Sequence, residues 1–198
     1  MEQTLRGALR ELTKEFGKNE LAFLALTTKI ELPLRDRWGY VLFKKLAGSK
    51  YIVSREWKRT DLAIIEDGKP KVLIEIKAIY TFDAAFEGGF YTRAIDYLQK
   101  DEDKALKLAS ADTEIYTVLF ATHPLAKIPV ELEGIVKFRA GINRALNEQN
   151  SADAVAKIAR RRIEEKFKGK HIVSKGALPG GSAFGIGVDV MYWMVRKK

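Results

Sequence analysis

The stretch KVLIEIKAIY at residues 71–80 is an apolar run that contains two charged residues, Glu75 and Lys77. Its apolar and β-branched content is typical of a buried strand. Side chains two positions apart in a strand point to the same face, so Glu75 and Lys77 are predicted to lie side by side. Because charges in a buried strand are costly unless they are paired or bind an ion, this pair is the first candidate for a functional site.

The chain before this stretch predicts two more strands. Short β-branched runs occur at residues 51–53 and 62–65, and residues 66–70, EDGKP, give a strong hairpin signal. Residues 72–79 follow the hairpin directly. We therefore expect a meander of three consecutive strands, with the charged pair on the last of them.

Apolar residues at helical spacing appear on both sides of the meander. Helices are predicted over residues 3–16, from near Pro33 to residue 46, over residues 92–109 and over residues 151–167, with Ser151 as the N-cap. Residues 114–122 and 188–195 are predicted strands, and the first is apolar enough to be central in a sheet. This order predicts an α/β fold in one domain over residues 1–198, with a mixed β-sheet and a three-strand meander flanked by helices.

Composition limits the classes of function. The formal net charge of +9 at pH 7 favours a polyanionic partner, most often nucleic acid. The chain has no cysteine, which excludes disulfides, iron–sulfur clusters and cysteine-ligated zinc and fits a cytoplasmic protein. No apolar run approaches the ~20 residues that span a membrane, so we expect neither an anchor nor a signal peptide.

The length of the hairpin loop decides whether Asp61 joins Glu75. A two-residue loop would place the two carboxylates on opposite faces of the sheet. A three-residue loop over residues 66–68, with Gly68 in the left-handed conformation, would place them on the same face. A site that contains both residues therefore requires an odd-length loop or a β-bulge, and a two-residue turn without a bulge would exclude it.

Two carboxylates at adjacent strand positions make a hard-oxygen site that suits Mg²⁺, which binds one or two carboxylates together with water and phosphate oxygens. Such an ion can polarise a phosphodiester and lower the pKa of a bound water. A lysine on the same face can hold the attacking water or neutralise charge on the phosphate. Asp61, Glu75 and Lys77 together therefore indicate phosphodiester chemistry.

One part of the chain resembles the motif of the PD-(D/E)xK nuclease superfamily. It consists of Asp61, an apolar strand and a hairpin, and then Glu75-Ile76-Lys77. The superfamily core is a helix, a three-strand meander, a helix and a strand. That order is also the one predicted for residues 31–122, with residues 123–198 as a C-terminal elaboration. The resemblance implies a restriction endonuclease-like core and metal-dependent phosphodiester cleavage. It implies Asp61 and Glu75 as metal ligands, Lys77 as the catalytic lysine, and Mg²⁺ as the cofactor, with Mn²⁺ as a substitute.

The superfamily often adds a glutamate from the first core helix. Glu31, just ahead of Pro33, is the candidate for this further metal ligand, and Glu20 and Asp36 are the alternatives. Thr60, rather than proline, precedes Asp61, a departure at a loose position of the motif. The Glu-x-Lys pattern also recurs where a solvated or salt-bridged pair is the simpler interpretation, at Glu56, Glu102 and Glu164.

Two other segments have two interpretations each. The basic residues Arg160, Arg161, Arg162 and Lys166 either follow a DNA backbone or form a solvated helix face with nearby glutamates. The glycine-rich segment ALPGGSAFGIG at residues 177–187 is either a loop that approaches DNA or a flexible hairpin connection. It lacks the lysine of a Walker loop, which argues against nucleotide binding.

These observations predict a Mg²⁺-dependent DNA endonuclease. Within that class we expect a restriction-type enzyme acting on double-stranded DNA, working as a homodimer. A structure-selective repair or junction nuclease is the nearest alternative with the same chemistry. A non-catalytic DNA-binding protein that retains the fold is the alternative from another class, and it would bind DNA without cleaving it.

Overall fold

The computed structural model describes residues 1–86 and 89–197. A six-stranded mixed sheet with the order β1-β2-β3-β4-β6-β5 forms its centre. Strands β3 and β4 are parallel, and the other neighbouring pairs are antiparallel. The strands are β1 Ile52–Trp57, β2 Thr60–Glu66, β3 Lys69–Tyr80, β4 Glu114–Pro124, β5 His171–Ala183 and β6 Ile186–Arg196. The predicted α/β class is confirmed, and β4 is central as its apolar sequence indicated.

Helices cover both faces of this sheet. They are α1 Glu2–Arg10, α2 Glu20–Thr27, α3 Glu31–Lys45, α4 Thr81–Ala85, α5 Gly89–Leu108, α6 Arg139–Gln149 and α7 Ala152–Lys166, with short 3₁₀ helices at Leu12–Glu15 and Val130–Leu132. On one face, the first three helices pack on β3 residues such as Ile74 and Ile76. On the other, Leu98 of α5 and Ile163 of α7 pack on Leu119 of β4. Within the described residues, no helix is long and apolar enough to cross a bilayer.

The β2–β3 hairpin combines a two-residue turn with a bulge. Asp67 and Gly68 both have positive φ, 49° and 74°, which is the requirement of a tight hairpin turn of the I′ type. The three-residue loop considered from the sequence is therefore wrong. The register then shifts, because Ile65 pairs with Pro70 whereas Ile64 pairs with Val72. This bulge moves the rest of β2 by one position along β3 and reverses which side chains share a face.

The shifted register brings Asp61 to Glu75. Beyond the bulge Leu62 pairs with Ile74, so one further step places Asp61 opposite Glu75. Both are then on the sheet face covered by α5, where Ala63 and Leu73 already pack against Ala105 of that helix. A turn without the bulge would have separated the two carboxylates.

The C-terminal part differs most from the sequence-based expectation. The glycine-rich segment does form a hairpin connection, but most of it is strand, because β5 runs through residue 183 and the turn is limited to Phe184 and Gly185. The pairing of β5 with β6 has two register shifts, and one of them lies between Pro179 and Gly181. A side chain at Gly180 would lie 2.8 Å from a backbone oxygen of β6, so glycine is needed where this strand bends closely against its neighbour. Helices α4 and α6 were also not predicted, whereas the Ser151 cap is confirmed.

Candidate active site

Strand β3 continues past the point where its neighbour β2 begins, and carboxylates take the place of the missing strand. The backbone N–H of Ile76 donates to Asp61 Oδ2 at 2.8 Å. Two residues further on, the N–H of Ala78 donates to Glu31 Oε2 at 3.0 Å. Both N–H groups would otherwise be unpaired at an exposed strand edge. These hydrogen bonds hold two carboxylates from different elements at one end of β3.

The carboxyl groups of Asp61 and Glu75 face each other across β2 and β3, close enough for each to affect the pKa of the other. Glu75 is only 4% exposed. Burial raises the pKa of Glu75 to about 8, and the negative charges of Asp61 and Asp101 contribute to the increase. Burial also raises the pKa of Asp61, although the N–H of Ile76 and the nearby cations oppose this. A buried and a partly buried carboxyl group in contact therefore retain one proton between them near neutral pH.

Lys77 lies on the same face as Glu75 and is held by two acids. Its Nζ is 2.9 Å from Asp101 Oδ2 on α5 and 3.8 Å from Glu31 Oε1 at the start of α3. Burial alone would lower the pKa of Lys77, but these carboxylates outweigh it and the pKa is raised. Lys77 is therefore a fixed ammonium, suited to neutralising negative charge and not to accepting a proton.

Of the three acids considered for the first core helix, Glu31 is the one that reaches the cluster. Burial raises its pKa, which places it in the same protected environment as the other two carboxylates. Glu20 instead binds Arg37 at 2.9 Å. Asp36 forms an ion pair with Arg55 of β1, also at 2.9 Å. Glu31 reaches the cluster because the first turn of α3 lies beside the part of β3 that extends beyond β2.

Two further residues belong to the cluster and were not predicted. Asp101 is the closest carboxylate to Lys77, but in the sequence it is one of many charges on a polar helix and nothing distinguishes it. Arg35 is buried, and its Nη1 lies 4.0 Å from Asp61 Oδ1 and 2.7 Å from Glu56 Oε1. Its position four residues after Glu31 is the one signal that could have placed it on the same helix face.

The four basic residues proposed from the sequence to bind DNA lie on α7, whereas the carboxylates lie on β2, β3 and α3. Arg162 has a role within the protein, because its Nη1 donates to the carbonyl of Ala85 at 2.6 Å and thereby caps α4. Arg160, Arg161 and Lys166 are exposed. DNA binding through these three residues stays a prediction.

Two polar residues behind the cluster have structural partners. The Nδ1 atom of His123 lies 2.9 Å from the hydroxyl of Thr81, and burial lowers the pKa of His123 to about 4. Asp83 accepts the backbone N–H of Tyr80 at 2.8 Å, at the start of α4. Both side chains stabilise the turn from β3 into α4.

An open cleft adjoins the cluster. Its volume is about 230 Å³, and Glu31, Lys77 and Ala78 lie on one side of it. Residues of α5 and Lys29 form the rest of its lining. Its lining residues are Lys29, Glu31, Lys77, Ala78, Phe90, Arg93, Ala94 and Tyr97. The cleft gives a ligand direct access to the ammonium of Lys77.

Comparisons of the chain with models of protein families, with curated proteins and with solved structures found no match. Among the residues that the structure describes, no group of three or more histidine, cysteine, aspartate or glutamate side chains is arranged to hold a metal ion. A cation at this site would therefore depend on the pair of Asp61 and Glu75 together with ligands from water or substrate.

Proposed function

We propose that this protein is a Mg²⁺-dependent DNA endonuclease with a restriction endonuclease-like core. The observation that carries the proposal is the contact of Asp61 with Glu75, together with Lys77 on the same face of β3. This contact exists because of the bulge in the pairing of β2 with β3. Three ionisable groups gathered under a helix cost stability, and binding of a charged ligand is the simplest reason to retain them.

The element order within residues 31–122 supports the same proposal. Helix α3, the meander β1–β3, helix α5 and strand β4 follow one another, and β4 lies parallel to β3. The short helix α4 is an addition between the meander and α5. This order agrees with the core of the nuclease superfamily that the sequence resembles.

The donor set fits Mg²⁺. Asp61 and Glu75 offer two hard oxygen ligands from adjacent strands, and water and phosphate oxygens would reach them from the neighbouring cleft that Glu31 and Lys77 line. The shared proton supports the fit, because a divalent cation would replace it and remove the repulsion between the two carboxylates. Mg²⁺ at this position, or Mn²⁺ as a substitute, would polarise the phosphate and lower the pKa of an attacking water.

The remaining residues of the cluster position the phosphate and the carboxylates. The Lys77 ammonium faces the cleft and would stabilise the negative charge that develops on a phosphate oxygen during hydrolysis. Asp101 and Glu31 hold that ammonium in place from two helices. Arg35 places a positive charge 4.0 Å from Asp61 Oδ1 and would favour the ionised form of that carboxylate.

The narrower functional expectations follow from this chemistry. A restriction-type enzyme that cuts double-stranded DNA as a homodimer in the cytoplasm remains the sequence-based expectation. A structure-selective nuclease is the second candidate, and it is favoured by the exposed aromatic side chains that line the cleft beside Lys77. A non-catalytic DNA-binding protein would not need the Asp61–Glu75–Lys77 set.

The proposal is tested by incubating the protein with supercoiled plasmid in Mg²⁺, in Mn²⁺ and in EDTA. Glu75→Ala and Lys77→Ala should each reduce cleavage by at least ~100-fold, as the loss of a group that stabilises a transition state does. Lys69→Ala is the matched control, because Lys69 lies on the same strand but is exposed beside the hairpin turn. Cleavage that persists in both site variants would place the active site elsewhere. Binding without cleavage in every metal would favour the non-catalytic alternative.

A further inference from the structure

One stripe of helix α5 runs along the cleft from its outer end to the catalytic cluster. Phe90, Arg93, Tyr97 and Asp101 follow one another at intervals of three and four residues, so they share one side of the helix. The first three line the cleft, and Asp101 binds Lys77 at its inner end. The stripe is therefore a continuous wall that leads from solvent to the proposed reaction centre.

The aromatic residues of this wall are exposed and lie next to cations. Phe90 is 41% exposed and Tyr97 is 54% exposed. Lys29 Nζ lies 5.5 Å from the centroid of the Phe90 ring, and Lys100 Nζ lies 5.5 Å from that of Tyr97. A single exposed aromatic side chain is ordinary on a protein surface. Here two exposed aromatic side chains line one cleft, and each has a lysine over its ring. The cleft also leads to the proposed phosphate-cleaving cluster. This combination is more specific than a single exposed ring.

We propose that this wall binds an unpaired strand of nucleic acid by stacking bases on Phe90 and Tyr97 while Lys29, Arg93 and Lys100 contact phosphates. The proposal rests on the proposed function and narrows its substrate to strands with unpaired nucleotides. Aromatic side chains interleaved with basic ones are the pattern by which proteins hold single strands. Base faces are available for stacking only where the duplex is open, so a continuous double helix would present phosphates to the wall but no bases.

The charge of the cleft supports this occupant over an apolar partner. Lys29 and Arg93 lie in the cleft wall, and the protein as a whole carries a net charge of +9. A strand lying on the wall would run towards Lys77, where a phosphate would meet the fixed ammonium. The cleft thus offers, in order along α5, surfaces for a base, a phosphate, a second base and the bond to be cut.

The test measures binding in EDTA, so that it does not depend on cleavage. Fluorescence anisotropy with a labelled oligothymidylate of about 12 nucleotides gives the affinity for a single strand. A duplex of the same length and an abasic deoxyribose phosphate strand of the same length are the comparison ligands. Tyr97→Ala should weaken binding of oligothymidylate by about 5- to 150-fold, the cost of losing one stacked base. Phe90→Ala should act in the same direction, and Tyr97→Phe should bind within about twofold of the wild-type protein because it keeps the ring.

Tyr40→Ala is the matched control. Tyr40 is also 54% exposed and also has a lysine over its ring, with Lys44 Nζ at 4.8 Å, but it lies on the outer side of α3 near β1. Its loss should leave the affinity unchanged. The proposal is overturned if Tyr97→Ala binds as tightly as the wild-type protein, or if the abasic strand binds as well as oligothymidylate. An inactive protein that shows the expected binding pattern would refute the proposed function alone, whereas plasmid cleavage without the stacking effect would refute this inference alone.

Discussion

The proton shared by Asp61 and Glu75 should make the stability of the metal-free protein depend on pH in an unusual direction. The native state holds the Glu75 proton up to a pKa of about 8, whereas an unfolded chain releases it near 4.5. Between these values the native state binds more protons than the unfolded state. The free energy of unfolding should therefore fall as pH rises from about 5 to 8, and should level off above that range. A carboxylate stabilised by an ion pair would show the opposite trend.

The Glu75→Gln variant isolates this effect, because the amide cannot ionise but can still hydrogen-bond Asp61. One pKa unit is worth about 1.4 kcal/mol, so the shift of Glu75 sets an upper limit of roughly 5 kcal/mol. We expect about 2 kcal/mol, since relaxation of the site and entry of solvent relieve part of the cost of the ionised pair. At pH 8 and in EDTA, Glu75→Gln should thus unfold about 4 to 8 °C above the wild-type protein. At pH 5 the two should unfold at nearly the same temperature.

Thermal and urea unfolding between pH 5 and 8.5 measure this difference directly. Glu66→Gln is the control, because Glu66 lies in the same hairpin and its ion pairs with Lys50 and Lys71 lower its pKa. That substitution should reduce stability at neutral pH and leave the trend between pH 5 and 8 in place. Mg²⁺ should stabilise the wild-type protein at pH 8 and have less effect on Glu75→Gln. A Glu75→Gln curve parallel to that of the wild-type protein would show that Glu75 is already ionised in this range and would refute the shared proton.

Two further substitutions test the positioning of the site and the C-terminal helix. Asp101→Asn removes a charge that raises the pKa of Glu75, so the pH at which Mg²⁺ binding is half-maximal should shift downward. The same substitution should reduce plasmid cleavage by about 10- to 100-fold, because it releases Lys77. If Asp101 had a purely structural role, the pH dependence of Mg²⁺ binding would not change. Ser151→Ala removes the hydrogen bond that caps α7 and should cost about 1 kcal/mol in urea unfolding without changing Mg²⁺ binding; an unchanged midpoint would show that the cap contributes nothing.

Local patterns predicted the elements best where one signal dominated. The alternating and β-branched residues of β3 fixed that strand, and the serine at position 151 marked the start of α7. Turn chemistry was harder to interpret, because Asp67-Gly68 suits a two-residue turn and also part of a longer loop. The glycines near the end of β5 resembled a loop, since their role in close strand packing depends on neighbours distant in the chain. Helix α6 lacked a long enough apolar repeat to stand out.

The candidate site shows the same contrast between what local sequence predicts and what depends on distant contacts. The sequence by itself determined that Glu75 and Lys77 share a face, because that follows from the two-residue period of any strand. For the acid from the first core helix it offered Glu31, with Glu20 and Asp36 as alternatives. It gave no reason to select Asp101, whose importance comes from the position of α5 over β3.

Only the tertiary structure decided whether the carboxylates meet. A single bulged residue, Lys71, changes the face on which Asp61 lies, and the local sequence is compatible with a turn with or without this bulge. Glu31 reaches β3 because β3 extends beyond β2 and leaves backbone N–H groups that can donate to a carboxylate. Strand period is a property of the local backbone, whereas register and helix placement depend on the sum of contacts across the whole sheet.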